Sequence, residues 1–94
     1  MPNLFQKLVQ FSRHLKIGGR LREFNFLKLN SKQLPTYHID VSDEAGKRYE
    51  FSLSFDGFDW KLSGETIPNW IESARELLQK EVAAEQGNNN PKLA

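Results

Sequence analysis

Apolar and polar residues alternate along three consecutive stretches of the chain, and the turns between them set which side each stretch buries. In TYHIDVS, Tyr37, Ile39 and Val41 share one phase, and Thr36, His38, Asp40 and Ser42 share the other. A period of two marks a half-buried β-strand. Glu44-Ala45-Gly46 fits a type I turn closed by a glycine bulge, which sets Asp43 opposite Lys47 and Val41 opposite Tyr49. Tyr49, Phe51, Leu53 and Phe55 then form the inward row of the next strand. Asp56-Gly57 is a strong two-residue hairpin signal, which would set Phe55 opposite Phe58, Leu53 opposite Trp60 and Phe51 opposite Leu62. Both turns send the large apolar residues of three strands to one face. A slip of one residue would reverse a whole strand.

The flanks of this hairpin pair read differently. Asn3 with Gln6 makes a capping-box pattern, and Leu4, Leu8, Phe11 and Leu15 recur at helical spacing. Gly18-Gly19 then ends a predicted first helix, with Arg13, His14 and Lys16 in its last turn. LREFNFLKLN reads as a strand whose alternation breaks between Phe24/Phe26 and Leu27/Leu29; a β-bulge near Phe26 would reconcile the two pairs. NSKQLP is a loop. After Gly64, Thr66 serves as a helix cap, and Ile67, Trp70, Ile71, Ala74, Leu77, Leu78 and Val82 mark a second amphipathic helix that Gly87 stops.

The expected order is α-β-β-β-β-α: an α+β fold with a four-stranded antiparallel meander and two helices packed on one face. Residues 1–86 make a single domain, and the polar segment 87–94 is expected to be a disordered tail. The second face of the sheet is left open.

Composition narrows what such a fold could do. The 94 residues include no cysteine, which removes disulfide and thiolate chemistry. No apolar run is long enough to span a membrane, and the N-terminus lacks the apolar core of a signal peptide, so a cytoplasmic location is expected. The net charge of +1 is unevenly spread: residues 1–36 carry seven bases and one acid, the remainder six bases and eleven acids. A basic first helix beside an acidic second one (Glu72, Glu76, Glu81, Glu85) explains that split without a ligand.

Two surfaces carry candidate chemistry. On the open face, His38, Asp40, Arg48, Glu50 and Lys61 fall close together, in predicted rows His38–Ser52–Lys61 and Asp40–Glu50–Ser63. His38, Asp40 and Glu50 offer an acid–base group or a His-and-carboxylate metal set. A half-solvated sheet face needs polar residues in any case, so no catalytic residue, metal or cofactor is assigned. The second surface is basic: Arg13, Lys16, Arg20, Arg22 and Lys28 could follow a phosphate backbone, or the helix carrying Arg13 could lie on an anionic membrane. The apolar stripe of that helix is needed to cover the sheet, so no membrane partner is assigned.

No sequence motif identifies a family. The order of four strands and a C-terminal helix over roughly residues 20–86 is similar to Whirly and Pur-alpha-like nucleic-acid-binding domains and to single-stranded-DNA-binding coactivators. That resemblance carries over no functional residue, because the open face here is acidic to neutral and has no aromatics. The sequence therefore points to a non-enzymatic domain acting through a protein partner or as a homodimer, by its open face or a sheet edge. Nucleic-acid binding by the basic surface is the alternative.

Overall fold

A computed structural model describes residues 9–29 and 35–88. Its elements are β1 (Val9–Ile17), β2 (Arg20–Leu29), β3 (Thr36–Ser42), β4 (Arg48–Phe55), β5 (Trp60–Ser63), α1 (Asn69–Glu72) and α2 (Arg75–Asn88). The strands form one antiparallel meander in chain order, β1-β2-β3-β4-β5. This is the expected α+β type of fold, with two corrections: the sheet has five strands rather than four, and both described helices follow it.

The extra strand is the C-terminal half of the segment predicted as a first helix. VQFSRHLKI alternates as well as any strand in the chain: Phe11, Leu15 and Ile17 face the core and Gln10, Ser12, His14 and Lys16 face out. Gly18 and Gly19 both have positive φ (62° and 81°), the backbone of a two-residue hairpin turn, and Ile17 pairs with Arg20 across it. The predicted cap and first turn, Asn3 to Leu8, lie outside the described residues. So does most of the predicted loop NSKQLP.

The predicted bulge is absent. β2 pairs one-to-one with β1 from Arg20 to Lys28 and with β3 from Asn25 to Leu29. Phe24 and Phe26 are buried, whereas Leu27 and Leu29 lie on the open face.

The β3–β4 hairpin matches its expected register. Asp43 N–H donates to Lys47 O at 2.9 Å, Gly46 N–H donates to Asp43 O at 3.0 Å, and Gly46 takes φ 88°. Val41 lies opposite Tyr49 and Ile39 opposite Phe51.

The β4–β5 register differs from expectation. The strands end at Phe55 and Trp60, which leaves residues 56–59 in the loop instead of the two expected, and within it Asp56 N–H donates to Asp59 O at 3.0 Å. Phe55 therefore faces Trp60 and Leu53 faces Leu62, a shift of two residues. An even shift keeps the same face inward. Phe58, expected in the core, is 89% exposed at the loop.

α1 and α2 lie across the inner face. Ile71, Ala74, Leu78 and Val82 are buried against Leu15, Ile17, Phe24, Phe26, Tyr37, Ile39, Val41, Phe51 and Leu53. Phe11 stacks on Phe26 with ring centroids 4.6 Å apart. Pro68, rather than the expected Thr66, occupies the first cap position, where its missing N–H costs nothing. Ala74 N–H donates to Ile71 O at 2.9 Å, a tighter bond than the α-helical one, and this breaks the predicted helix in two. Leu77, expected inside, is 40% exposed. Near its start, α2 is tied to β5 by Arg75 Nη1 donating to Trp60 O at 3.0 Å. Near its end it is tied to β1 by Arg13, which reaches Glu81 at 3.0 Å and Glu85 at 2.7 Å.

The two faces of β2 should respond differently to truncation. Phe24→Ala should cost about 3–5 kcal/mol in chemical denaturation. Leu29→Ala, at an exposed outward position, should cost well under half of that, whereas a bulge at Phe26 would make the two costs comparable.

Candidate functional site

The open face is built by strand parity. With odd-numbered residues of β3 and β4 committed to the core, His38, Asp40, Glu50 and Ser52 must point the other way. The register pairs Asp40 with Glu50 and His38 with Ser52, as expected. Two like charges directly opposite each other repel. Arg48 bridges them, with Nη2 3.1 Å from Asp40 Oδ2 and Nε 3.4 Å from Glu50 Oε2. His38 Nε2 lies 3.7 Å from the second oxygen of Glu50.

The ladder continues into strands that sequence reasoning left out of the site. Asn25 Nδ2 donates to Asp40 Oδ1 at 3.0 Å, and Ser12 Oγ donates to Asn25 Oδ1 at 2.6 Å. A continuous polar chain thus crosses from β1 to β4. A concave depression of about 460 Å³ lies over it, lined by Gln10, Ser12, Asn25, Leu27, His38 and Arg48 among others. The helix reading of the first segment hides Ser12, and the bulge expected near Phe26 leaves the register of β2, and with it Asn25, unplaced. The alternation of FSRHLKI ahead of Gly18-Gly19 was the signal that could have found them.

Lys61 does not join this cluster. The shifted β4–β5 register puts Ser63 opposite Ser52 and Lys61 opposite Ser54, correcting the predicted rows. Lys61 Nζ instead sits 3.1 Å from Asp56 Oδ2. His38, Asp40 and Glu50 do not form a metal-ligating group either: among the described residues no set of three such side chains is placed to hold an ion.

The five residues of the expected basic surface do not all share one face. Arg13 points to the helix side, between Glu81 and Glu85. Arg22 is also inward, its side chain only 10% exposed, with the guanidinium 4.1 Å over the Trp70 ring and 3.2 Å from Glu44. Arg20 lies 3.3 Å from the other Glu44 oxygen. Lys28 is half-buried on the helix side, while Lys16 is exposed on the open side. Of the expected pairing with the acidic C-terminal helix, Glu81 and Glu85 engage Arg13, from a strand rather than a helix, while Arg20 and Arg22 are held by Glu44 of the β3–β4 loop. No described helix is long and apolar enough to cross a membrane. With residues 9–17 in a strand, the helical membrane surface proposed for that segment is not present.

No family model, curated protein or solved structure matches the chain. The similarity to Whirly and Pur-alpha-like domains therefore stays one of element order, and the strand preceding residue 20 departs from it.

The β4–β5 loop should carry an acid signature. Asp56 is held at a pKa of about 2, first by the amides of Asp59 and Phe58, which its carboxylate accepts at 2.8 and 2.9 Å, and then by Lys61. A depressed carboxyl stabilises the fold above its ordinary value of 3.8, and that contribution disappears as pH falls through about 2. Carboxyl-detected NMR titration should place the Asp56 midpoint near 2, and Asp56→Ala should loosen the loop at neutral pH. A midpoint near 4 would show that these bonds do not form.

Proposed function

We propose that this chain is a non-enzymatic protein-contact module that works through the open face of its sheet. The observation that carries this reading is one-sided coverage among the described residues: α1 and α2 bury the inner face, while the outer face presents a preorganised polar ladder around a depression. Donors and acceptors there are already fixed in position, so a partner would meet a rigid surface with little ordering cost. Leu27 within the depression and the exposed Leu21 and Leu29 on the same strand add apolar contact to the polar network. Such a mixture suits a protein surface better than a phosphate backbone, which would need unpaired cations. Three of the five candidate bases, Arg13, Arg20 and Arg22, are engaged by carboxylates within the chain.

The test is sedimentation of the tagged chain at native abundance in extract from its own cells. It should travel in an assembly containing a different protein, and Ser52→Arg, which places a bulky charge on the open face, should release it. Sedimentation of the wild-type chain without any second protein would contradict the proposal. Fluorescence anisotropy with single-stranded DNA and RNA at low salt supplies the other arm. Binding that weakens steeply with salt would replace this reading by the nucleic-acid one.

A further inference from the structure

The two edges of the sheet are not alike. In an antiparallel meander each residue sends its N–H and C=O to one neighbour only, alternating along the strand. The bond from Asp43 N–H to Lys47 O commits the odd residues of β3 and β4 to each other, and Phe55 N–H donating to Pro35 O repeats that parity. Carried through the pairs Asp40–Asn25 and Phe24–Arg13, it commits the odd residues of β1 to β2. The two-residue Gly18-Gly19 turn requires the same, with Ile17 and Arg20 as its closing pair. The backbone groups of Gln10, Ser12, His14 and Lys16 therefore point away from the sheet, and among the described residues no strand pairs with them.

By the same parity β5, four residues long, presents only Trp60 and Leu62 outward. That edge is short. The β1 edge is nine residues long and without proline or bulge, so it lacks most devices that keep edge strands from pairing. Its one inward charge, Arg13, is neutralised by Glu81 and Glu85. The third nitrogen of Arg13 donates to Ser12 O at 3.0 Å, which leaves that carbonyl its second lone pair.

We propose that β1 pairs antiparallel with β1 of a second copy of this chain, joining two five-stranded sheets into one across a two-fold axis at Arg13. A register centred on Arg13 uses all four outward residues: Gln10 pairs with Lys16 of the other copy, and Ser12 with His14, each twice by symmetry. Registers centred on Ser12 or His14 leave one of the four unpaired. On the open side the paired side chains are Gln with Lys and Ser with His, with no like-charge clash. On the helix side the half-buried Phe11 meets Leu15 of the other copy and Val9 meets Ile17, extending the core row across the junction. The two Arg13 guanidiniums meet at the axis, each between its own two carboxylates. The seam is made by backbone groups at the β1 edge and borders the open-face depression, whose lining includes the side chains of Gln10 and Ser12; amide exchange at the four outward residues separates this pairing from contact through the open face.

The experiment combines sedimentation equilibrium over a concentration series with amide hydrogen exchange on the full chain. The expected result is a dimer of the 10.9 kDa chain with slowed exchange at Gln10, Ser12, His14 and Lys16. In a monomer those four amides would exchange at least tenfold faster than their odd-numbered neighbours. His14→Pro removes one outward N–H without touching the β1–β2 ladder, and should yield a monomer with unchanged circular dichroism. If that variant fails to fold, the wild-type exchange pattern still decides. A monomer at every concentration overturns the proposal. So does a dimer in which the four amides exchange fast, which would move self-association to the open face.

Discussion

Everything in this molecule depends on the parity of its strands. Five ribbons each place alternate residues under α1 and α2, and the fully buried set includes Phe24, Ile39, Val41 and Leu53 from the sheet and Ile71, Leu78 and Val82 from the helices. Each such side chain contributes about 1.5–3 kcal/mol by leaving water, so a strand that slipped by one residue would lose several of these terms at once. The same constraint makes the polar ladder. Once Tyr37, Ile39 and Val41 face inward, His38 and Asp40 have nowhere to go but the open face. Core and surface are two consequences of one alternation.

How much of this could be read from the residues depended on how tightly local chemistry limits the alternatives. The β3–β4 hairpin was legible because Gly46 supplies the one left-handed residue that a three-residue loop needs, so the placement of His38, Asp40, Arg48 and Glu50 followed directly. The β4–β5 turn was not. Asp-Gly favours a two-residue loop, but the Asp56 carboxylate captures the amides of both Phe58 and Asp59, which holds the wider loop and strands Phe58 in solvent. The even shift preserves parity, so the inward face of β5 is the expected one, while its row partners and the positions of Phe58 and Lys61 differ.

The first strand was the harder case, since Leu8, Phe11 and Leu15 fit a helix while Val9, Phe11, Leu15 and Ile17 fit a strand. The glycine pair separates them physically. The common glycine helix end uses one residue of positive φ, whereas a type I′ hairpin turn needs two in succession, and Gly18 and Gly19 both take it. Arg13 disguised the strand further by putting a charge in its inward row. That interruption is tolerable only because Glu81 and Glu85 reach it from an element nearly seventy residues away, information that local pattern does not contain.

The state of residues 9–17 is the most direct point of attack, because the open-face ladder, the free edge and the arginine clamp all require a strand there. Two-dimensional NMR of the isolated chain should show strong Hα–Hα contacts for the non-hydrogen-bonded pairs Gln10–Leu27, Ser12–Asn25 and His14–Glu23. Helical contacts between residues three and four apart over the same segment, with no cross-strand signal to Asn25, would contradict the structure at its root.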